Sequence, residues 1–263
     1  PDIKKMKGLN LNTTCVPTIT NHTQTSMSYA MNINLPKNVS VDEINFSELK
    51  KNDYGGGSLY VNYNNRPLII QTPYMSTPFG VSAYEPTDGG KTKYSLDLSF
   101  RDVDNNPSVR HFLDTLTKFD EKLVDAALAN SLAWFKTKHT SKEVIKALFS
   151  GQVRHSIDRE TGEINTAYKP TFKVKVPYSN DRCTVEVYDE EKTRVEYEHL
   201  DEVVSKGAKV RVVMSCSGVW FAGGKFGVSW RLMHLQKKGG PALNQFAFQD
   251  DSDEECETDE VYG

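Results

Sequence analysis

The sequence predicts a mainly β protein with a helical insert, on three observations. Apolar and polar residues alternate in several separate segments, one central block switches to the three-and-four spacing of a helix, and alternation then resumes. Strands, then helices, then strands imply a mainly antiparallel sheet, for which a closed or partly open five-stranded barrel is the most economical form. With 263 residues, 38% of them hydrophobic and 10% aromatic, the chain can bury one sizeable core.

Residues 1–57 are polar and rich in Asn, Thr and Ser, and they finish in Lys50-Lys51-Asn52-Asp53-Tyr54-Gly55-Gly56-Gly57. This reads as an irregular arm with one or two edge strands before a hinge. Leu59, Val61 and Tyr63 then share one side of a strand, Asn64-Asn65-Arg66-Pro67 makes a turn, and Leu68-Ile69-Ile70 opens the next strand. Past the glycine-containing loop 86–90, residues 93–101 divide into two faces. Tyr94, Leu96, Leu98 and Phe100 point to the core, while Lys93, Ser95 and Arg101 point to water.

The period then becomes helical. Asn106 can cap a helix whose first residue is Pro107, and Val109, Phe112, Leu116, Phe119 and Leu123 form its apolar stripe, with the helix expected to reach about Lys138. Thr140 and Glu143 have capping-box spacing for a second helix through Phe149, closed by Gly151. The helical insert thus spans 106–150, as one layer against a sheet. Strands return at 171–176, 183–188, 208–221 and 226–236, completing a body over residues 58–249.

The last fourteen residues are of a different kind. Asp250, Asp251, Asp253, Glu254, Glu255, Glu257, Asp259 and Glu260 supply eight of the 35 acidic side chains, Tyr262 stands near the end, and no Lys or Arg occurs. Set against 32 basic side chains, this leaves the rest of the chain at about +5 beside a tail of −8. So little apolar surface cannot offset the entropy of ordering, so residues 250–263 are expected to be a disordered polyanion. Tethered beside a basic surface, a polyanion competes there with other polyanions, of which nucleic acid is the obvious one. A tail that only solubilises the chain is the plainer alternative.

Enzyme signatures fail on inspection. Gly90-Lys91-Thr92 resembles the end of a phosphate-binding loop, but Glu85 stands where the first glycine belongs and a strand follows where a helix should start. Asp102-x-Asp104 suits turn and cap chemistry between a strand and a proline-started helix. The six histidines have no ligand spacing, and no nucleophile elbow is present. No catalytic residue, metal or cofactor is therefore expected. Cys15, Cys183, Cys216 and Cys256 lie far apart, which argues against a zinc site or disulfide framework and for a reducing, intracellular setting. No apolar run approaches a membrane span and no signal-peptide core follows Pro1, so the glycosylation patterns at Asn12, Asn21, Asn38 and Asn45 read as chance.

The segment 209–232 carries the binding chemistry. Val210, Val212 and Met214 form an apolar face with Lys209 and Arg211 opposite; after Gly223-Gly224, Phe226, Val228, Trp230 and Leu232 share a face with Ser229 and Arg231 opposite. Stacking of unpaired bases needs flat aromatic faces, and tracking of phosphates needs cations between them. Trp220, Phe221, Lys225 and Arg231 supply both, although core packing is the competing role, and for Trp230 the favoured one. Lys173 and Lys175 alternate with Phe172, Val174 and Val176 and so line the solvent side of their strand, in company with Arg211, Arg231, Lys237 and Lys238.

A β-barrel with a helical insert, the basic and aromatic hairpin 218–236 and the acidic tail ending near Tyr262 together resemble the single-stranded DNA-binding proteins of large nucleocytoplasmic DNA viruses. These in turn are similar to the replication single-strand-binding proteins of short-tailed bacteriophages. The resemblance covers roughly residues 58–263. It departs in ending Val261-Tyr262-Gly263 instead of on the aromatic, and residues 1–57 have no counterpart. It implies an oligonucleotide/oligosaccharide-binding (OB) fold that coats unpaired DNA in replication, recombination and repair, at a viral replication site in the host nucleus or cytoplasm. It also implies a tail that contacts replication proteins such as a polymerase or helicase, and it carries over to Trp220, Phe221, Lys225 and Arg231. Self-association stays open, and the rival reading is a virion structural or assembly protein using the same surface for protein contacts.

Overall fold

The computed structural model describes residues 32–51 and 56–239. The acidic tail and most of the N-terminal arm lie outside these residues. In chain order the principal elements are β1 (Ile44–Phe46), β2 (Gly57–Leu59), β3 (Val61–Tyr63), β4 (Ile69–Gln71), β5 (Met75–Ser76), β6 (Val81–Tyr84), β7 (Lys93–Ser99), α1 (Pro107–Ala129), α2 (Ser131–Phe135), α3 (Lys142–Leu148), β8 (Thr171–Val176), β9 (Glu186–Tyr188), β10 (Lys209–Ala222) and β11 (Lys225–Lys237). The protein is mainly β, with α1, α2 and α3 between β7 and β8 and a single helical turn, Leu200–Val203, before β10.

Alternation places the strands as the sequence requires. Leu96, Leu98, Phe172, Val174, Val212, Met214, Trp230 and Leu232 are buried on one side of the sheet. β7 pairs antiparallel with β8 from Tyr94↔Val176 to Ser99↔Thr171. β8 meets β11 in parallel at Lys175↔Arg231, and β11 runs antiparallel along β10. β10 pairs with β5 at Val210↔Met75 and Lys209↔Ser76, and β5 returns to β7 at Ser76↔Ser99. The pairings therefore pass round β5, β7, β8, β11 and β10 and come back to β5. Further along, the free side of β10 takes up β4 and then β2, while β6 flanks β7.

The helix α1 starts where the sequence places it. Asn106 is extended and its side chain accepts from the N–H groups of Ser108 and Val109, with Pro107 in the first turn. Val109, Phe112, Leu116, Phe119 and Leu123 are all buried. Phe112 packs on Phe100 and Phe172 with ring centroids 5.7 and 5.4 Å apart, and Phe119 meets Trp230 edge-on at 6.5 Å. Each such side chain contributes about 1.5–3 kcal/mol of burial, so this stripe is what fastens the insert to the sheet.

Two helix boundaries differ from expectation. The first helix stops at Ala129, not near Lys138, because the Asn130 side chain donates to the Ala126 carbonyl at 2.8 Å and competes with the next turn; the short α2 follows after Asn130, whose backbone leaves the helical region. The second helix is capped by Ser141, not Thr140. The Ser141 hydroxyl accepts from the Val144 N–H and donates to Glu143 at 2.6 Å, which a threonine one residue earlier cannot reproduce in register. The expected strand over 183–188 is divided into Arg182–Cys183 and Glu186–Tyr188.

Within residues 32–51, Ile33–Asn34 pair with β4, β1 pairs with β3 and Lys50–Lys51 pair with β2, while the segment 36–46 also packs on α1. The Thr115 hydroxyl donates to the Pro36 carbonyl at 3.1 Å, Lys122 donates to the carbonyls of Val41 and Asp42 at 2.9 and 2.7 Å, and Phe46 stacks near Phe119. No helix among the described residues is long and apolar enough to cross a membrane.

A polar chain runs through the joint between α1 and the sheet. Asp120 accepts from the backbone N–H of Gln152 at 3.1 Å and from its side-chain amide at 2.7 Å, while the Gln152 oxygen accepts from the buried Trp230 indole. Burial pushes the Asp120 carboxyl up to about 6, against the two bonds from Gln152 that pull it down. The folded protein thus holds this proton more tightly than the unfolded chain. Stability from this group is fully present below about pH 4 and is lost as pH rises through about 6. Relative to Asp120→Asn, which does not titrate, the wild-type unfolding free energy should fall by about 2–3 kcal/mol between those limits. Urea denaturation of both proteins across that range measures it, and a constant difference would show that Asp120 ionises as it does in the unfolded chain.

Candidate nucleic-acid interface

The side of the sheet turned away from α1 carries the candidate site. In β7, β8, β10 and β11 the residues between the buried ones project there, and register brings them into rows. Ser95 on β7 stands beside Lys175 on β8, Lys175 beside Arg231 on β11, and Arg231 beside Ser215 on β10. Two bulges adjust the pattern. Register shifts between Val213 and Met214 and between Cys216 and Gly218, leaving Met233 and Ser217 as the extra residues of β11 and β10. Gly218 at the second shift has φ +114°, and a Cβ there would lie 2.3 Å from the Leu59 carbonyl oxygen, so no other residue fits without moving β2.

Beyond Ser217 the alternation of β10 is reversed. Val219 and Phe221 turn inward, and Trp220 turns outward with Arg211 and Ser215. Phe221 is only 9% exposed and packs among Trp134, Phe135 and Phe226, so it does not join Trp220 at the surface. Trp220 is half-buried. Its indole lies over Gly227, where an added Cβ would sit 2.9 Å from the ring, and so the glycine lets the ring lie flat on the sheet. Trp230 is buried, as its neighbours predict.

Charge on this face is unevenly neutralised. Lys173 lies 3.3 Å from Asp97, which is 6% exposed, and beside the Ser95 hydroxyl at 3.5 Å. Lys175 donates to the Ser229 hydroxyl at 3.0 Å; burial and then the neighbouring Lys93 charge hold its ammonium below the ordinary lysine range. Among the described residues neither Lys175 nor Arg231 has a carboxylate partner. Arg211 lies 4.9 Å over the Tyr74 ring and donates to Gln236 at 2.6 Å, with Lys238 5.9 Å from the same ring. Crowded cations without anions are a site that a phosphate backbone would relieve. On the same face His234 lies 3.3 Å from Glu186.

Of the residues singled out in the sequence, Lys173, Lys175, Arg211, Trp220 and Arg231 therefore share one face, with Lys225 at its hairpin tip and Lys238 at the opposite end. Lys237 pairs with the inward Val210 and sits on the other side. The tail residues from Asp250 to Tyr262 lie outside the described residues. Tyr84, Lys93, Lys50 and Tyr60 also stand at this face, although the sequence did not single them out as binding groups. Tyr84 is 61% exposed and stands opposite Lys93; Lys50, through Ser58, stands in register with Trp220, and its ammonium lies 4.9 Å over the ring of Tyr60. Alternation marks Lys93 as wet, but only strand pairing reveals the aromatic next to it.

No cluster of three or more His, Cys, Asp or Glu among the described residues is arranged to hold a metal ion. Burial pushes the Cys216 thiol up to about 12, which keeps it protonated and unreactive.

A model of a family of unknown function, DUF5871, matches residues 97–250, more than half of the chain. No curated protein matches the sequence. Among solved structures, the single-stranded DNA-binding protein from bacteriophage Enc34 in complex with single-stranded DNA is similar over 73% of this chain and 95% of its own, at 13% identity and a TM-score of 0.43. The gp2.5 single-stranded DNA-binding protein encoded by bacteriophage T7 is similar over 75% of this chain and 100% of its own, at 16% identity and a TM-score of 0.40.

The two tryptophans should respond oppositely to truncation. Trp220→Ala is expected to cost about 1 kcal/mol or less, whereas Trp230→Ala, which empties a core site and leaves Gln152 without its donor, should cost about 3–5 kcal/mol. Chemical denaturation of both variants distinguishes them, and equal losses would place Trp220 in the core.

Proposed function

We propose that this chain, which belongs to the family of unknown function DUF5871, is a non-enzymatic, sequence-tolerant single-stranded DNA-binding protein built on an OB-type barrel. The ring of pairings through β5, β7, β8, β11 and β10 supports the barrel. The observation that carries the binding is the row Ser95, Lys175, Arg231 and Ser215, in which two cations without carboxylate partners stand side by side on a face that also holds the half-buried Trp220. Phosphates are held by Lys173, Lys175, Arg211 and Arg231, and unpaired bases stack on the exposed aromatic rings. In this reading the protein coats strands during viral DNA replication, recombination and repair.

With about four to six basic side chains on phosphates, log affinity for single strands falls with log salt at a slope of roughly −3 to −4. Duplex of the same sequence binds far more weakly, since stacking needs unpaired bases. Fluorescence anisotropy over a salt series with single- and double-stranded probes tests both, and equal affinity for the two would refute the reading.

The acidic segment 250–263 completes the proposal. Its eight carboxylates, beside a remainder of about +5, compete with DNA for the basic face and, once displaced, are free to recruit a polymerase, helicase or similar replication protein. Truncation after Gln249 is expected to raise single-strand affinity, most strongly at low salt, and to abolish recruitment while leaving the unfolding transition unchanged. Equal affinity of the truncated and full-length proteins at low salt would exclude competition.

A further inference from the structure

Resting on the reading of this face as a single-strand site, we infer that the bound strand crosses the sheet diagonally between two separate stacking stations, Trp220 at one end and Tyr84 at the other. Ser82, Ser95, Lys175, Arg231 and Ser215 are successive register partners on β6, β7, β8, β11 and β10. Tyr84 lies two residues beyond Ser82, level with Lys93. β7 is antiparallel to β8, β8 is parallel to β11, and β11 is antiparallel to β10, so β7 and β10 run the same way. Tyr84, beside the start of β7, and Trp220, near the end of β10, therefore lie at opposite ends of the sheet and on opposite sides of the central row.

The surface between the two rings is suited to a backbone. Lys93 stands next to Tyr84, Lys175 and Arg231 occupy the middle, and Ser229 and Gly227 lead to Trp220. Ser229 is small, and Gly227 gives its space to the Trp220 ring that lies over it. The one carboxylate on this stretch, Asp97, is buried against Lys173. Four inter-strand steps and about six residues of strand rise separate the two rings by on the order of 25 Å along the face. A mononucleotide cannot reach both stations, whereas a strand within the roughly 4–16 nucleotides of an OB-type site can.

The test uses the full chain and oligothymidylates of graded length. Affinity is expected to climb with length until a strand spans both rings, because the second contact becomes intramolecular, and then to level off. Tyr84→Ala is expected to lower affinity for spanning strands about tenfold and to flatten that climb. Tyr84→Phe, which keeps the ring, is expected to restore both. Tyr84 is exposed, so the unfolding transition of either variant should match wild type. If Tyr84→Ala binds spanning strands as tightly as wild type, the diagonal path is wrong although the face still binds DNA; if wild type itself binds no single strand, the reading of the face fails and the path with it.

Discussion

A β-bulge shifts the two-residue alternation by one, and every side chain beyond it changes sides. In the long β10–β11 hairpin, one bulge on each strand decides the composition of both faces. The extra residue Ser217 turns Trp220 outward and Phe221 inward; the extra residue Met233 turns His234 and Gln236 outward and Leu235 into the core. Gly218 makes the bulge at Ser217 possible, since its backbone adopts φ +114° against the Leu59 carbonyl. Without that single residue the aromatic that faces solvent would be a different one.

The same hairpin binds the two halves of the protein's chemistry together. Its inner side meets α1 through Trp230 and Phe119, and the hairpin tip closes over Trp134 and Phe135 of α2. Its outer side carries Arg211, Trp220 and Arg231. A rigid platform results, because the outward residues sit on strands whose inward residues are locked in a packed core. The Asp120, Gln152 and Trp230 chain adds a polar tether between helix and strand at the centre of this contact.

On the outer face, neutralised and free cations occupy distinct places. Lys173 is held by the buried Asp97, which orients it, and Arg211 by Gln236 and Tyr74; Lys175 donates to Ser229, and among the described residues neither it nor Arg231 has a carboxylate partner. Cations with fixed partners thus flank two that have no carboxylate partner among the described residues. Small residues, Ser95, Ser215 and Ser229, line the strand positions beside them. This division explains why a modest net charge is compatible with a strongly basic face.

The sequence alone determined the mainly β class, the capped start of α1 at Asn106 and Pro107, its buried stripe, and the outward placement of Lys173, Lys175, Arg211 and Arg231. These follow from local periodicity and local capping, which depend on neighbours a few residues away. The halt of α1 at Asn130 and the choice of Ser141 over Thr140 were less legible, because competing side-chain hydrogen bonds differ by little in free energy. The reversal of phase at Ser217, the burial of Phe221, and the arrival of Tyr84 beside Lys93 and of Lys50 near Trp220 were decided by tertiary structure. Each depends on which strands pair and in what register, and pairing between segments far apart in the chain leaves no periodic mark on either one.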